Sequence, residues 1–183
     1  MGNEGGAAHP GAEPGAGSDP GSTGRLPEIL FVCTGNTCRS PLAEGMARQL
    51  VRERGLQFAV SSAGVAAREG EPASPEAVRA AREQGIDLGA HASRLLTRRM
   101  ALDAAVVLVL GPEHGGFLRV LAPEALSRVH VLREYATRGR ESQEVPDPIG
   151  GDLEIYRRTL AVIRDLVEKS LQRVVEDAQT RSS

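Results

Sequence analysis

The reading of this chain turns on Ile29-Leu30-Phe31-Val32 and the nine residues after it, Cys33-Thr34-Gly35-Asn36-Thr37-Cys38-Arg39-Ser40-Pro41. Four consecutive apolar residues fit a strand covered on both faces. Ser40-Pro41 reads as an N-cap followed by proline at the first helical position. Leu42, Met46 and Leu50 then share one helical face, and Gly55 is the stop. A tight loop between a buried strand and a helix N-terminus turns its amides inward, so Thr34, Gly35, Asn36, Thr37, Cys38 and Ser40 form a nest for an anion. Gly35 lets the chain approach closely or take a positive φ. Asn36 tolerates left-handed geometry and can tie the loop with its amide. Arg39 can hold two phosphoryl oxygens at once. The same positive surroundings are expected to lower the Cys33 pKa and supply a thiolate at neutral pH. The Ser40 hydroxyl stands close enough in sequence to donate to that sulfur.

Outward from this loop, short apolar runs alternate with helical patterns. Phe58–Ser61, Ala105–Leu110 and Val129–Leu132 read as further strands. Ser74-Pro75 opens a helix ending near Gly85, and Thr97 caps a short one. Phe117, Leu118 and Leu121 mark another. An irregular stretch is expected from about Glu134 to Gly151. In the last helix Leu153, Tyr156, Leu160, Ile163, Val167, Leu171 and Val174 recur at three- and four-residue steps. Strand alternating with helix implies an α/β fold, a parallel sheet with helices on both faces. Ligands of such sheets bind beyond the carboxyl ends of the strands. Residues 1–24 are mostly glycine, proline, alanine and small polar residues, with Met1 the one large apolar side chain, and read as a disordered extension. The domain is expected over 25–178, with residues 179–183 a frayed tail.

Composition excludes several classes. The chain has 183 residues with a formal net charge of −2, whereas proteins that hold nucleic acid through its phosphates are usually basic. No apolar run reaches the length of a membrane span. With two cysteines and no secretory signal pattern, a protein of a reducing cytoplasm is expected. His9, His91, His114 and His130 are scattered, so Cys33 and Cys38 lack the companions of a metal site. Cys33 as an inert buried thiol and Cys38 as simple packing are the plain alternatives. In Val145-Pro146-Asp147-Pro148 the prolines stiffen the chain around Asp147. Asp147 is a candidate proton donor to a phosphoryl leaving group, or a turn residue.

The C-x5-R-S loop directly behind the first strand, with Asp-Pro far downstream, resembles low-molecular-weight protein phosphatases over about Leu26 to Ala178. Within that family the chain is most similar to bacterial protein-arginine phosphatases, whose loop likewise reads CTGNTCRSP and whose acid loop resembles Asp147-Pro148-x-Gly150-Gly151. The resemblance implies a four-stranded parallel sheet with the phosphate-binding loop after its first strand. It implies a two-step reaction through a phosphocysteine on Cys33, with Arg39 holding the phosphoryl group. Asp147 would protonate the leaving group and then activate water, with no metal or other cofactor. It further implies that Cys38 can trap oxidised Cys33 as a disulfide, and that Ser62 and His91 support the loop through Asn36 and Ser40.

Tyrosine phosphatases of the family tend to carry aromatic residues just after Asp-Pro. Here Ile149, Gly150 and Gly151 stand there, Ile149 where the arginine phosphatases carry phenylalanine. Thr37, where tyrosine-specific relatives carry a larger aliphatic residue, is implied to filter phosphoarginine from phosphotyrosine. The expected function is hydrolysis of phosphoarginine in proteins, with tyrosine phosphatase activity as the alternative. A monomer acting on phosphorylated proteins, without nucleic acid or membrane, is expected. Arsenate reduction would require cysteines beyond Cys38, and none follows. A non-catalytic phosphate reader would typically lack the nucleophile or the acid, and both are present.

Overall fold

The structure, a computed structural model, describes residues 25–141 and 144–181. The expected extension over 1–24 lies outside them. Four strands, β1 (Glu28–Cys33), β2 (Ala59–Gly64), β3 (Val106–Val109) and β4 (Val129–Val131), pair in parallel in the order β2-β1-β3-β4. Because side chains alternate along a strand, β1 feeds two cores. Ile29, Phe31 and Cys33 face one cluster with α1 (Arg39–Glu53), α2 (Pro75–Glu83) and α6 (Leu153–Arg181). Leu30 and Val32 face the other, with α3 (Arg98–Asp103) and α4 (Pro112–Leu121). The fold is therefore the α/β architecture expected from the alternating pattern.

Tyr156, Leu160, Ile163, Val167, Leu171 and Val174 all lie buried along α6. Burial of such side chains from water, at about 1.5–3 kcal/mol each, holds the helix on α1 and α2. Ser74 and Thr97 cap α2 and α3 as read, accepting from the amides of Ala77 and Met100.

Several boundaries differ from expectation, β2 among them, which runs on to Gly64 past the expected Ser61. α1 begins at Arg39 with Cys38 at the cap position, so Ser40 is not the N-cap; its hydroxyl is taken by the site described below. The fourth strand stops at Val131, and Leu132–Ala136 forms a short helix, α5. That helix enters the stretch expected to be irregular, because Leu132 and Tyr135 bury against the α6 side of the core. α6 runs to Arg181, past Gln179.

β1 is central, and its carboxyl end opens into the Cys33–Ser40 loop. Val32 pairs with Ala63 on one side and Val109 on the other, so the segments after β2 and β3 flank that loop. The second of these segments carries the acid loop beside it, through the amide of Val145 on the carbonyl of Leu110 (3.0 Å).

Candidate active site

Cys33 ends β1, 3% exposed, with its sulfur 2.9 Å from the Ser40 hydroxyl. Asn36 orients that hydroxyl. Its Oδ1 accepts the amide of Arg94 (2.8 Å), which fixes the amide so that Nδ2 donates to Ser40 Oγ (2.9 Å) and Ser62 Oγ (2.8 Å). Ser40 thus accepts from Asn36, and its own hydrogen is left for Cys33 or, at 3.5 Å, the carbonyl of Ala63. Ser62 passes the chain to the buried carboxylate of Glu44, which pairs with Arg48 (2.5 Å). His91 donates through Nε2 to the Asn36 carbonyl (2.7 Å). The resemblance implied that Ser62 and His91 hold the loop through Asn36 and Ser40; both touch Asn36, and Ser40 is reached through it. Asn36 is fully buried at φ +56°, so the left-handed turn falls on it and not on Gly35. The close approach falls on Gly64, where a Cβ would lie 2.5 Å from the Thr34 carbonyl and 2.8 Å from the Asn36 amide. Backbone bonds from Val65 to Cys33 and from Ala66 to Thr34 clamp the loop on that side.

Arg39, 3% exposed, projects from the first turn of α1. Its Nη2 lies 2.6 Å from Asp147 Oδ2 and its Nη1 donates to the Val145 carbonyl (3.4 Å). This contact joins residues 108 positions apart (147 minus 39) into one site. Asp147 Oδ1 also accepts the amide of Ile149, whose side chain is 74% exposed at the rim. Thr37 is half-buried and Thr34 exposed at the loop's outer edge.

The expected lowering of the Cys33 pKa is not found. Burial pushes the thiol above its ordinary value, outweighing the Ser40 hydroxyl, the amides of Ser40 and Asn36, and Arg39, all of which favour thiolate. Of these, Arg39 contributes least.

Cys38 is buried in a separate polar pocket, its sulfur 3.2 Å from Tyr156 Oη, 3.6 Å from Ser74 Oγ and 3.7 Å from Thr37 Oγ1. Burial and the Cys38 sulfur push the Tyr156 phenol up to about 12, so it stays a neutral donor. Both cysteines are free thiols. Glu44, Ser74, Tyr156 and, beside Thr34, Glu113 and His114 carried no local signal as site residues. Among the described residues no group of three or more His, Cys, Asp or Glu is arranged to hold a metal ion, and no helix is long and apolar enough to cross a membrane.

A family model described as low molecular weight phosphotyrosine protein phosphatase matches residues 28–180, and the chain belongs to this family. It is 35% identical over 150 residues to a protein-arginine-phosphatase of Bacillus subtilis, covering 82% of this chain and 98% of that one. It is 33% identical over 142 residues to the low molecular weight protein-tyrosine-phosphatase PtpB of Staphylococcus epidermidis, covering 78% and 95%. Among solved structures, a mutant YwlE arginine phosphatase with a phosphorylated active-site serine superposes with a TM-score of 0.79 at 34% identity, covering 83% of this chain and 98% of that one.

Proposed function

We propose that the chain is a protein phosphatase that hydrolyses phosphoarginine through a phosphocysteine on Cys33. The observation that carries the chemistry is Arg39, buried behind the nucleophile loop yet 2.6 Å from Asp147, so that nucleophile, phosphoryl clamp and acid share one site.

The loop amides and Arg39 hold the phosphoryl oxygens and follow their charge into the transition state. Arg39 exchanges part of its hold on Asp147 for the phosphoryl group, and its charge then adds to the pull of Ser40 and the amides towards thiolate. The Cys33 proton passes to the Asp147 carboxylate, the thiolate forms the S–P bond as the P–N bond breaks, and Asp147 delivers that proton to the leaving guanidine nitrogen. In the second step the Asp147 carboxylate takes a proton from water, which attacks phosphorus, and the S–P bond breaks to release phosphate and the Cys33 thiolate. Ser40 donates to the sulfur throughout.

Three features favour phosphoarginine over phosphotyrosine. The rim after Asp147 carries Ile149, Gly150 and Gly151 and no aromatic ring to pack on a phenyl group. Thr37 gives the nucleophile loop a small polar side chain, half-buried beside Cys38. Relatives named protein-arginine-phosphatase match over most of the chain. The catalytic unit is residues 25–178, acting as a cytoplasmic monomer on phosphorylated proteins, with no nucleic acid, membrane or cofactor involved.

The test is mass spectrometry of acid-quenched enzyme during turnover of a phosphoarginine peptide in the presence of a chelator. A phosphoryl group on Cys33 is expected, and Cys33→Ser should lose at least about 10⁴-fold in turnover. Full turnover by Cys33→Ser, or activity lost with the chelator, would overturn the mechanism.

A further inference from the structure

Glu113 and His114 stand beside the nucleophile loop, and no step above uses them. They open α4 directly after β3, at the sheet end that carries Cys33. His114 is fully buried, with Nε2 3.0 Å from Thr34 Oγ1 and 3.2 Å from Glu113 Oε1. The Thr34 hydroxyl can donate to Nε2 or accept from it, and Glu113 lies at ion-pair distance from the same nitrogen. His114 Nδ1, buried as well, has no hydrogen-bond partner. Burial pushes the imidazole pKa down and favours the neutral ring, with Arg39 adding to that and Glu113, the Gly111 backbone and Asp147 opposing it, which places the pair within electrostatic reach of the Arg39–Asp147 ion pair.

A neutral imidazole leaves the Glu113 charge uncancelled. The Glu113 side chain is 53% exposed, and no arginine or lysine pairs with it among the described residues. The carboxylate folds back over the start of α4, where a Cβ on Gly111 would meet both of its oxygens.

An uncompensated carboxylate beside an anion-binding loop opposes a phosphoryl dianion. It is useful when the substrate brings its own cation next to the phosphorus, as the guanidinium of phosphoarginine does and the ring of phosphotyrosine does not. Carboxylate and guanidinium also match as planar, paired acceptor and donor. We propose that Glu113, held near Thr34 by way of His114, receives the guanidinium of phosphoarginine and is a specificity-determining residue of the site; the inference rests on the phosphoarginine reading above. His114 is a positioning residue that acts through Glu113 and Thr34.

The competing role is stabilisation of the α4 N-terminus by an acid in its first turn. Steady-state kinetics of the full chain, Glu113→Gln and Glu113→Asp on matched phosphoarginine and phosphotyrosine peptides separate the two. Glu113→Gln is expected to raise KM for phosphoarginine about tenfold, more than it changes kcat, and to lower KM for phosphotyrosine because a repelling charge has gone. Glu113→Asp should recover part of the loss. Equal changes on both peptides, accompanied by a lower melting temperature, would overturn the proposal and leave the phosphoarginine reading standing. A wild-type chain that leaves phosphoarginine untouched would overturn both.

Discussion

The loop that carries Cys33 and the loop that carries Asp147 meet at one ion pair and are built in opposite ways. Between Cys33 and Ser40, polar groups are buried and partnered: Asn36 and Ser40 have no exposed surface, and Asn36 alone bonds Ser40, Ser62, Arg94 and His91. A buried polar group left without its partner costs about 1–3 kcal/mol, so such a loop has one geometry or none. Between Val145 and Gly151 the Asp147 side chain is 38% exposed and Ile149 is 74% exposed. The chain there is held by Val145 on Leu110, by Arg39 and by a short turn from Gly151 to Pro148. Cys33 is thus fixed by hydrogen bonds, while Asp147 is placed by a charge on the opposite loop, one that a substrate phosphoryl group competes for in the proposed mechanism.

The substitution that strikes both halves is Arg39→Lys. Lysine keeps the charge and loses the fork that spans phosphoryl oxygens, Asp147 and the Val145 carbonyl. kcat/KM on a phosphoarginine peptide should fall by about 10³-fold; a loss under tenfold would mean that charge alone suffices. Asp147→Asn separates the halves. It removes the acid, with an expected loss in kcat of about 10²-fold, and releases Arg39. Ultraviolet titration in a Cys38→Ser background should show the Cys33 thiol ionising at lower pH than in the chain that keeps Asp147. The sign follows from charge: burial holds the thiol up, removing a carboxylate frees a cation beside it, and a nearer cation favours thiolate. An unmoved midpoint would mean that Arg39 does not act on the sulfur. Asn36→Ala tests the rigid half by itself and should cost about 2–4 kcal/mol in urea unfolding. Asn36→Gly, which removes the same bonds but accepts φ +56°, should cost less.

The same contrast explains what could be read from sequence. The nine residues from Cys33 to Pro41 state their chemistry locally, because strand end, anion nest and helix start are consecutive. The α6 face was legible from its period, and Ser74 and Thr97 from their positions before helices. The cap at Cys38 was not, since Ser40-Pro41 has a good capping pattern that Cys33 and Asn36 override by claiming the hydroxyl. α5 is five residues long and owes its existence to burial of Leu132 and Tyr135, which leaves little periodicity to read. The raised Cys33 thiol could not be read from the loop, because its cause is burial, a tertiary fact. Glu113 and His114 lie about 80 residues from Thr34, and His114 is linked to it by one hydrogen bond.

The most direct test of the account is steady-state turnover on matched peptides carrying phosphoarginine or phosphotyrosine, with Thr37→Ile beside the wild type. A strong preference for phosphoarginine that Thr37→Ile erodes is the predicted result. Equal or better turnover of phosphotyrosine by the wild type would contradict it, leaving the Cys33 chemistry but removing Thr37 and the glycine-rich rim as the source of specificity.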